Sequence, residues 1–140
     1  MMDDKRRFSN WKYPEIVESK PTKYNWIVQN LEGLKLGYAT DIGAFSYINA
    51  KHGVTIEESV QIGSHCSIYS ISTIDDKVGK VHLKANSKIG SHSTVLPGVT
   101  VGENSIIGAH SLVIDDIPDN VIAFGVPAKV IRKIDATTDS

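Results

Sequence analysis

Branched aliphatic residues recur every six positions along most of this chain. Leu36, Ile42 and Ile48 open the series, and Ile56, Ile62 and Ile68 follow after two extra residues. Beyond a longer gap, Leu83, Ile89, Val95, Val101, Ile107 and Val113 resume the step without a slip. Gly stands directly after the aliphatic at Gly37, Gly43, Gly63, Gly90, Gly102 and Gly108. Four places after it comes a small residue or Val, as at Thr40, Ser46, Val60, Cys66, Ser72, Ser87, Ser93, Val99, Ser105 and Ser111. A hexapeptide period predicts a parallel β-helix, in which short strands turn the aliphatic inward. Gly and Asn supply the permissive backbone of its corners. With three strands to a coil, the repeats make about four triangular coils. At about 4.8 Å per strand step the stack stands roughly 19 Å tall. Coils bury their inner faces only by stacking, so a stack this short is expected to self-associate.

Two interruptions break the rhythm. The first is a small bulge around Lys51 to Thr55, and the second separates Ile68 from Leu83. The polar text STIDDKVGKVH in the second predicts a protruding loop at about 72–82. Insertions in repeat proteins gather on one face, often the binding face. Residues 1–35 differ in kind, with apolar anchors at Trp11, Tyr13, Ile16, Val17, Tyr24, Trp26, Ile27 and Val28 interrupted by Pro14 and Pro21. They predict a strap over the open end of the stack; the sharper reading sets some of these aromatics against a ligand. The stretch YNWIVQNLEGLKLG reads as extended or briefly helical before Gly33. The solenoid is expected over 36–117, a capping segment over 118–134 and a disordered tail over 135–140. Pro118 and Pro127 cannot sit in central strands. The amphipathic AKVIRKI reads as a cap or as a phosphate-facing edge.

Bulk properties narrow the function. A chain of 140 residues with formal charge −1 has the size of one domain and no basic field for nucleic acid. No apolar run approaches the roughly 18 residues of a membrane span. The opening MMDDKRRF has no apolar stretch behind it, so no secretory leader is expected and the cytoplasm is the default compartment. The single cysteine, Cys66, occupies a small-residue slot and reads as core filler, outside any acyl-enzyme chemistry.

The stretch IGSHSTVLPGVTVGENSIIGAHSLVIDDIPDNVIAFGVPAKVIRKI closely resembles the end of hexapeptide-repeat acyltransferases. That family includes galactoside and maltose acetyltransferases and the sugar acetyltransferases of polysaccharide assembly. The resemblance covers about 36–134, and its closing GVPAKVI segment is the most specific part. It implies a left-handed β-helix, a homotrimer, acetyl-CoA as donor and active sites between subunits. Lys88-Ile89-Gly90-Ser91-His92 resembles the family's W-I-G-S-H, in which the Ser amide holds the thioester oxygen. The resemblance places Ala109 against the pantetheine arm, and Lys129 and Arg132 toward CoA phosphates. Tyr47-Ile48-Asn49 resembles the family's Tyr-Ala-Asn and makes Asn49 a substrate-binding candidate.

One departure matters. Where galactoside-type enzymes carry a general-base His, this chain reads Ser70-Ile71-Ser72-Thr73-Ile74-Asp75-Asp76. The base candidates are therefore His65 and His82, with Asp75 or Asp76 as a weak base or orienter of an amine and His52 as a further histidine. In register, His65, His92 and His110 form a corner column above Phe45, either packed there or with His65 binding the acceptor. A sugar hydroxyl needs a base as it attacks, whereas a neutral amine needs chiefly positioning and an oxyanion hole. The missing base shifts the expected acceptor toward the amino group of a nucleotide-linked amino sugar. Transfer to a sugar hydroxyl stays open. So do a gamma-carbonic-anhydrase-like zinc enzyme, although the H-x4-H pair is absent, and a non-catalytic trimeric scaffold.

Overall fold

The computed structural model describes residues 9–135; the first eight residues of the expected strap and residues 136–140 of the expected tail lie outside them. The described chain is almost entirely short strands, with one 3-10 turn at Leu31–Gly33 and no helix long and apolar enough to cross a membrane. Parallel strands stack into three faces. The first face carries Ile27–Gln29, Tyr47–Asn49, Ser67–Tyr69, Thr94–Val95 and Leu112–Val113. Leu34–Leu36, Val54–Ile56, Val81–Leu83 and Thr100–Val101 make the second. Asp41–Ile42, Gln61–Ile62, Lys88–Ile89, Ile106–Ile107 and Val121–Gly125 make the third.

The register joins aliphatic to aliphatic across all three faces. Leu36 pairs with Ile56, Ile56 with Leu83 and Leu83 with Val101. Ile42, Ile62, Ile89 and Ile107 align on the third face, and Ile48, Ile68, Val95 and Val113 on the first. Apart from Leu36, which is half-buried and packs against the others, these side chains are almost fully buried and form one continuous core. The parallel β-helix expected from the repeat is the fold observed.

Small residues in the core carry hydroxyls that stitch coil to coil. Ser46 Oγ donates to Gly63 O at 2.9 Å and accepts the Cys66 amide at 3.1 Å. Ser93 Oγ repeats this with Gly108 O and the Ser111 amide, both at 3.2 Å. A buried hydroxyl of this kind matches an amide that would otherwise have no partner.

Both ends extend the stack. Ile27–Gln29 adds a parallel rung under Tyr47–Asn49, so the strap contributes Val28 to the core. Val121–Gly125 adds a rung on Ile106–Ile107, and Ala128–Lys133 folds back antiparallel along its free edge. That hairpin occupies an edge that would otherwise be open to pairing.

The loop differs from its expected bounds. Ile71–Ser72 and Lys77–Val78 form a small antiparallel hairpin, and the chain has rejoined the wall by Val81. Val81 is fully buried opposite Val54, which in turn pairs with Leu34, so strands of the second face turn two residues each toward the core. His82 therefore lies within a wall strand rather than at a loop end.

Candidate active site

Each coil turns from the third face to the first through a residue in the left-handed backbone region. Phe45, His65, His92 and His110 have φ of 65°, 57°, 61° and 59°. Asn25 in the strap shares the conformation at φ 65°, and its carbonyl accepts the Phe45 amide at 2.6 Å. Above it the amides of His65, His92 and His110 donate to Ala44 O, Ser64 O and Ser91 O at 3.0, 3.0 and 2.9 Å. Asn and His tolerate this region better than a bulky Phe does. The shared backbone state sends the side chains out in a column. Phe45 lies 5.2 Å from His65, His65 stacks on His92 at 4.6 Å, and His92 on His110 at 4.8 Å. The imidazoles lie face to face at 5° and do not converge on a common point.

Ser91 and Ala109 occupy the positions just before His92 and His110. The Ser91 amide makes no hydrogen bond among the described residues. Beneath it is Gly63, where a Cβ would come 2.6 Å from Ser91 N; a Cβ at Gly90 would come 2.5 Å from Ala109 N. Glycine at these corners thus keeps two backbone donors uncovered on successive coils. An open, rigid N–H suits an oxygen that gains negative charge during reaction.

The closing hairpin meets this corner at one end. Gly125 N donates to Ser111 Oγ at 3.1 Å, fixing the last rung above the His column. Lys129 pairs with Phe124, the residue before Gly125, and is exposed. Arg132 pairs with Ile122, about three residues or 10 Å along the strand from Lys129, and is also exposed. A donor laid along the column would pass Ser91, Ala109 and Lys129 in order, with Arg132 nearer the opposite corner. The open amides and exposed cations fit the polyanionic, amide-rich CoA.

Other candidates stand elsewhere. His82 sits on the second face between Thr55 and Thr100, and its Nε2 bonds to a Glu57 carboxylate oxygen. The other Glu57 oxygen accepts the Ala85 amide at 3.1 Å. A carboxylate held in this way fixes its imidazole's orientation and leaves Nδ1 as the acceptor when Nε2 carries the proton. His82 ends the loop expected at about 72–82; its pairing with Thr55 and Thr100 makes it a residue of a wall strand instead. Ser91 belongs to the corner between the third and first faces, so one chain does not join it to His82.

Asp75 lies on the exposed hairpin with Lys77 Nζ 3.6 Å away. The Ser72 hydroxyl, and then the Lys77 ammonium, hold its carboxyl below the usual range, which weakens it as a base. Asp76 is exposed on the same hairpin turn, with φ 57°. Asn49 is bound into a first-face network. It accepts from Asn30 Nδ2 at 2.9 Å and donates to the Tyr47 hydroxyl at 3.2 Å. His52 is exposed in the bulge, its amide on Ser70 Oγ at 3.0 Å. Cys66 is fully buried with Sγ 3.2 Å from Gly90 O, and burial pushes its thiol up.

Sequence reading passed over Glu57 and the function of Gly63. Glu57 stands directly after Ile56, where Gly37 and Gly102 occupy the same face, so an acid there is a break in the repeat. Only the inter-coil register brings it to His82.

Residues 80–115 match the family model described as bacterial transferase hexapeptide (six repeats). The galactoside O-acetyltransferase of Escherichia coli (strain K12) is 39% identical over 108 residues, 66% of this chain and 53% of that protein. A galactoside acetyltransferase solved with coenzyme A superposes with a TM-score of 0.73 at 30% identity, covering 80% of this chain and 60% of that one. AntD, an N-acyltransferase from Bacillus cereus solved with dTDP-4-amino-4,6-dideoxyglucose and coenzyme A, gives 0.58 at 26% identity, covering 81% and 72%. The chain spans about half or less of the length of the curated relatives it matches. The resemblance to hexapeptide-repeat acetyltransferases, including galactoside and maltose O-acetyltransferases, is borne out by these matches.

Proposed function

We propose that this chain is an acetyl-CoA-dependent acetyltransferase whose acceptor is the amino group of a nucleotide-linked amino sugar, in a direct transfer within a ternary complex. One observation carries the reading: the Ser91 amide stands open above Gly63 in the segment that resembles the family's oxyanion-binding W-I-G-S-H. The ligands named for the two solved relatives, coenzyme A in both and an amino sugar on dTDP in one, support it.

Acetyl-CoA supplies an activated acyl carbon and a thiolate leaving group. Ser91 N–H donates to the acyl oxygen as negative charge gathers there, a contribution typically worth about 3–4 kcal/mol. Ala109 N–H and Lys129 hold the donor along the corner, and Arg132 screens its phosphates. His65, one coil toward the N-terminal end, faces the acceptor. A bond forms from the amine nitrogen to the acyl carbon as the carbon–sulfur bond breaks. The released amine proton passes to His82 Nδ1 of a second copy, oriented there by Glu57, and His82 hands it on to the departing thiolate, which leaves as the thiol. The homotrimer implied by the resemblance supplies that second copy.

A sugar hydroxyl is the second reading, favoured by the O-acetyltransferase names among the relatives. Free-thiol release from acetyl-CoA, measured across nucleotide-linked amino sugars and simple galactosides, separates the two. Turnover confined to the amino sugars is expected. Turnover only with galactosides rejects the amine, and failure to bind CoA removes the acetyltransferase reading.

A further inference from the structure

A cleft lies at the opposite end of the stack from Lys129. It holds about 590 Å³ between the strap and the first coil, a size typical of small-molecule sites. Trp11, Tyr24, Lys12, Lys23 and Asp41 are among the residues that line it. From this juxtaposition we infer that the strap cleft binds the nucleoside diphosphate part of the acceptor, a role that rests on the amino-sugar reading above.

The cleft is built before any ligand arrives. Trp11 Nε1 donates to Thr40 O at 2.8 Å, tying the strap to the first coil. The Trp11 ring packs edge-on against Tyr13 and Tyr38 at 4.7 and 5.1 Å. Thr22 Oγ1 accepts the amides of Tyr24 and Trp26 at 3.2 and 3.4 Å, closing the turn that presents Lys23. Lys23 Nζ lies 5.1 Å from the Tyr24 ring centre, and neither Lys12 nor Lys23 forms a salt bridge with a described residue. Aromatic residues beside two lysines that make no salt bridge with a described residue suit a stacked base followed by phosphate.

Position selects the source of the nucleotide. Both acetyl-CoA and a nucleotide sugar carry a base and phosphates. The donor's cations, Lys129 and Arg132, stand at the C-terminal end of the corner column, whereas the cleft adjoins its N-terminal foot at Tyr24 and Asn25. From Asn25 the column rises through Phe45 and His65 to His92 beside Ser91. Three coil steps of about 4.8 Å set the cleft roughly 14 Å below the reacting corner. The acceptor would enter from below and the donor from above, meeting at the Ser91 amide.

The test titrates the full chain with dTDP, UDP, CoA and adenosine 3′,5′-bisphosphate by calorimetry, before and after Lys12→Ala/Lys23→Ala and, separately, Lys129→Ala. The lysine pair should weaken dTDP or UDP at least tenfold while changing CoA less than twofold; Lys129→Ala should do the reverse. Thermal melts of both variants confirm that the fold is kept. No binding of either nucleoside diphosphate, or binding indifferent to Lys12 and Lys23, overturns the assignment. So does adenosine 3′,5′-bisphosphate that depends on the strap lysines, which would give the cleft to the donor. Strap-dependent dTDP binding without CoA binding upholds the cleft and rejects the acetyltransferase reading alone.

Discussion

The imidazole of His65 lies 4.6 Å beneath that of His92 with their planes 5° apart, although 27 residues separate them in the chain. Nothing local brings them together. The coil register does, because Gln61–Ile62 pairs with Lys88–Ile89 and the next corner repeats in the same left-handed backbone state. The stack sets His65 one coil toward the N-terminal end from Ser91 and gives the corner a continuous column of rings.

The two base candidates separate by substitution. His82→Gln should lower turnover about 10²–10⁴-fold, the usual contribution of a positioned base. Glu57→Gln should reproduce part of that loss through His82 orientation. His65→Gln should raise KM for the acceptor more than it lowers kcat. Steady-state kinetics with acetyl-CoA and the best acceptor reads all three. A second copy is implicated if mixing inactive His82→Gln with inactive Gly63→Ala protein restores activity.

Gly63→Ala should cost about 10²–10³-fold in kcat, because its Cβ would press within 2.6 Å of Ser91 N and 2.8 Å of Ser91 Cα. Ser91→Ala should stay within a few-fold of the parent, since the backbone donor survives. Loss in Ser91→Ala equal to that in Gly63→Ala would move the chemistry to the hydroxyl.

Cys66 should resist alkylation. Its thiol is fully buried on Gly90 O and held protonated above its ordinary range by burial. Cys66→Ala should keep turnover within a few-fold, and iodoacetamide labelling near pH 8 should run far slower than with free cysteine. Fast labelling with parallel loss of activity would contradict this placement.

The strap should loosen in acid. Glu18 accepts the amides of Leu31 at 2.7 Å and Asn30 at 2.8 Å, and these bonds hold its carboxyl below the usual value. A carboxyl depressed in the fold stabilises it fully above the unfolded value, about 4.3, and loses that contribution as pH falls through the depressed value. Hydrogen exchange at Leu31 and Asn30, taken relative to the intrinsic rate, should speed up below about pH 4. In Glu18→Gln it should be fast and independent of pH beyond the intrinsic rate.

Two core serines should respond oppositely. Ser87 Oγ is buried with no hydrogen-bond partner among the described residues, so Ser87→Ala should be neutral or stabilise by about 1 kcal/mol. Ser93 Oγ bridges Gly108 O and the Ser111 amide, so Ser93→Ala should cost about 1–3 kcal/mol. Urea denaturation of the two variants measures both.

Much of the solenoid was legible in the residues themselves. A six-residue step is a local constraint: each aliphatic must face inward, and parallel coils can satisfy that only by setting Ile62 beneath Ile89 and Ile89 beneath Ile107. The His column followed from the same count. Polar partnerships between coils carry no such period. The Glu57–His82 pair, the glycine that uncovers the Ser91 amide, the return of Val81 to the wall and the cleft roofed by Trp11 each depend on atoms from distant rungs meeting in space. Hydrophobic spacing along the chain determined the stack, because burial repeats with the backbone. Which polar groups face one another was decided only by tertiary structure, because register and bulges set it.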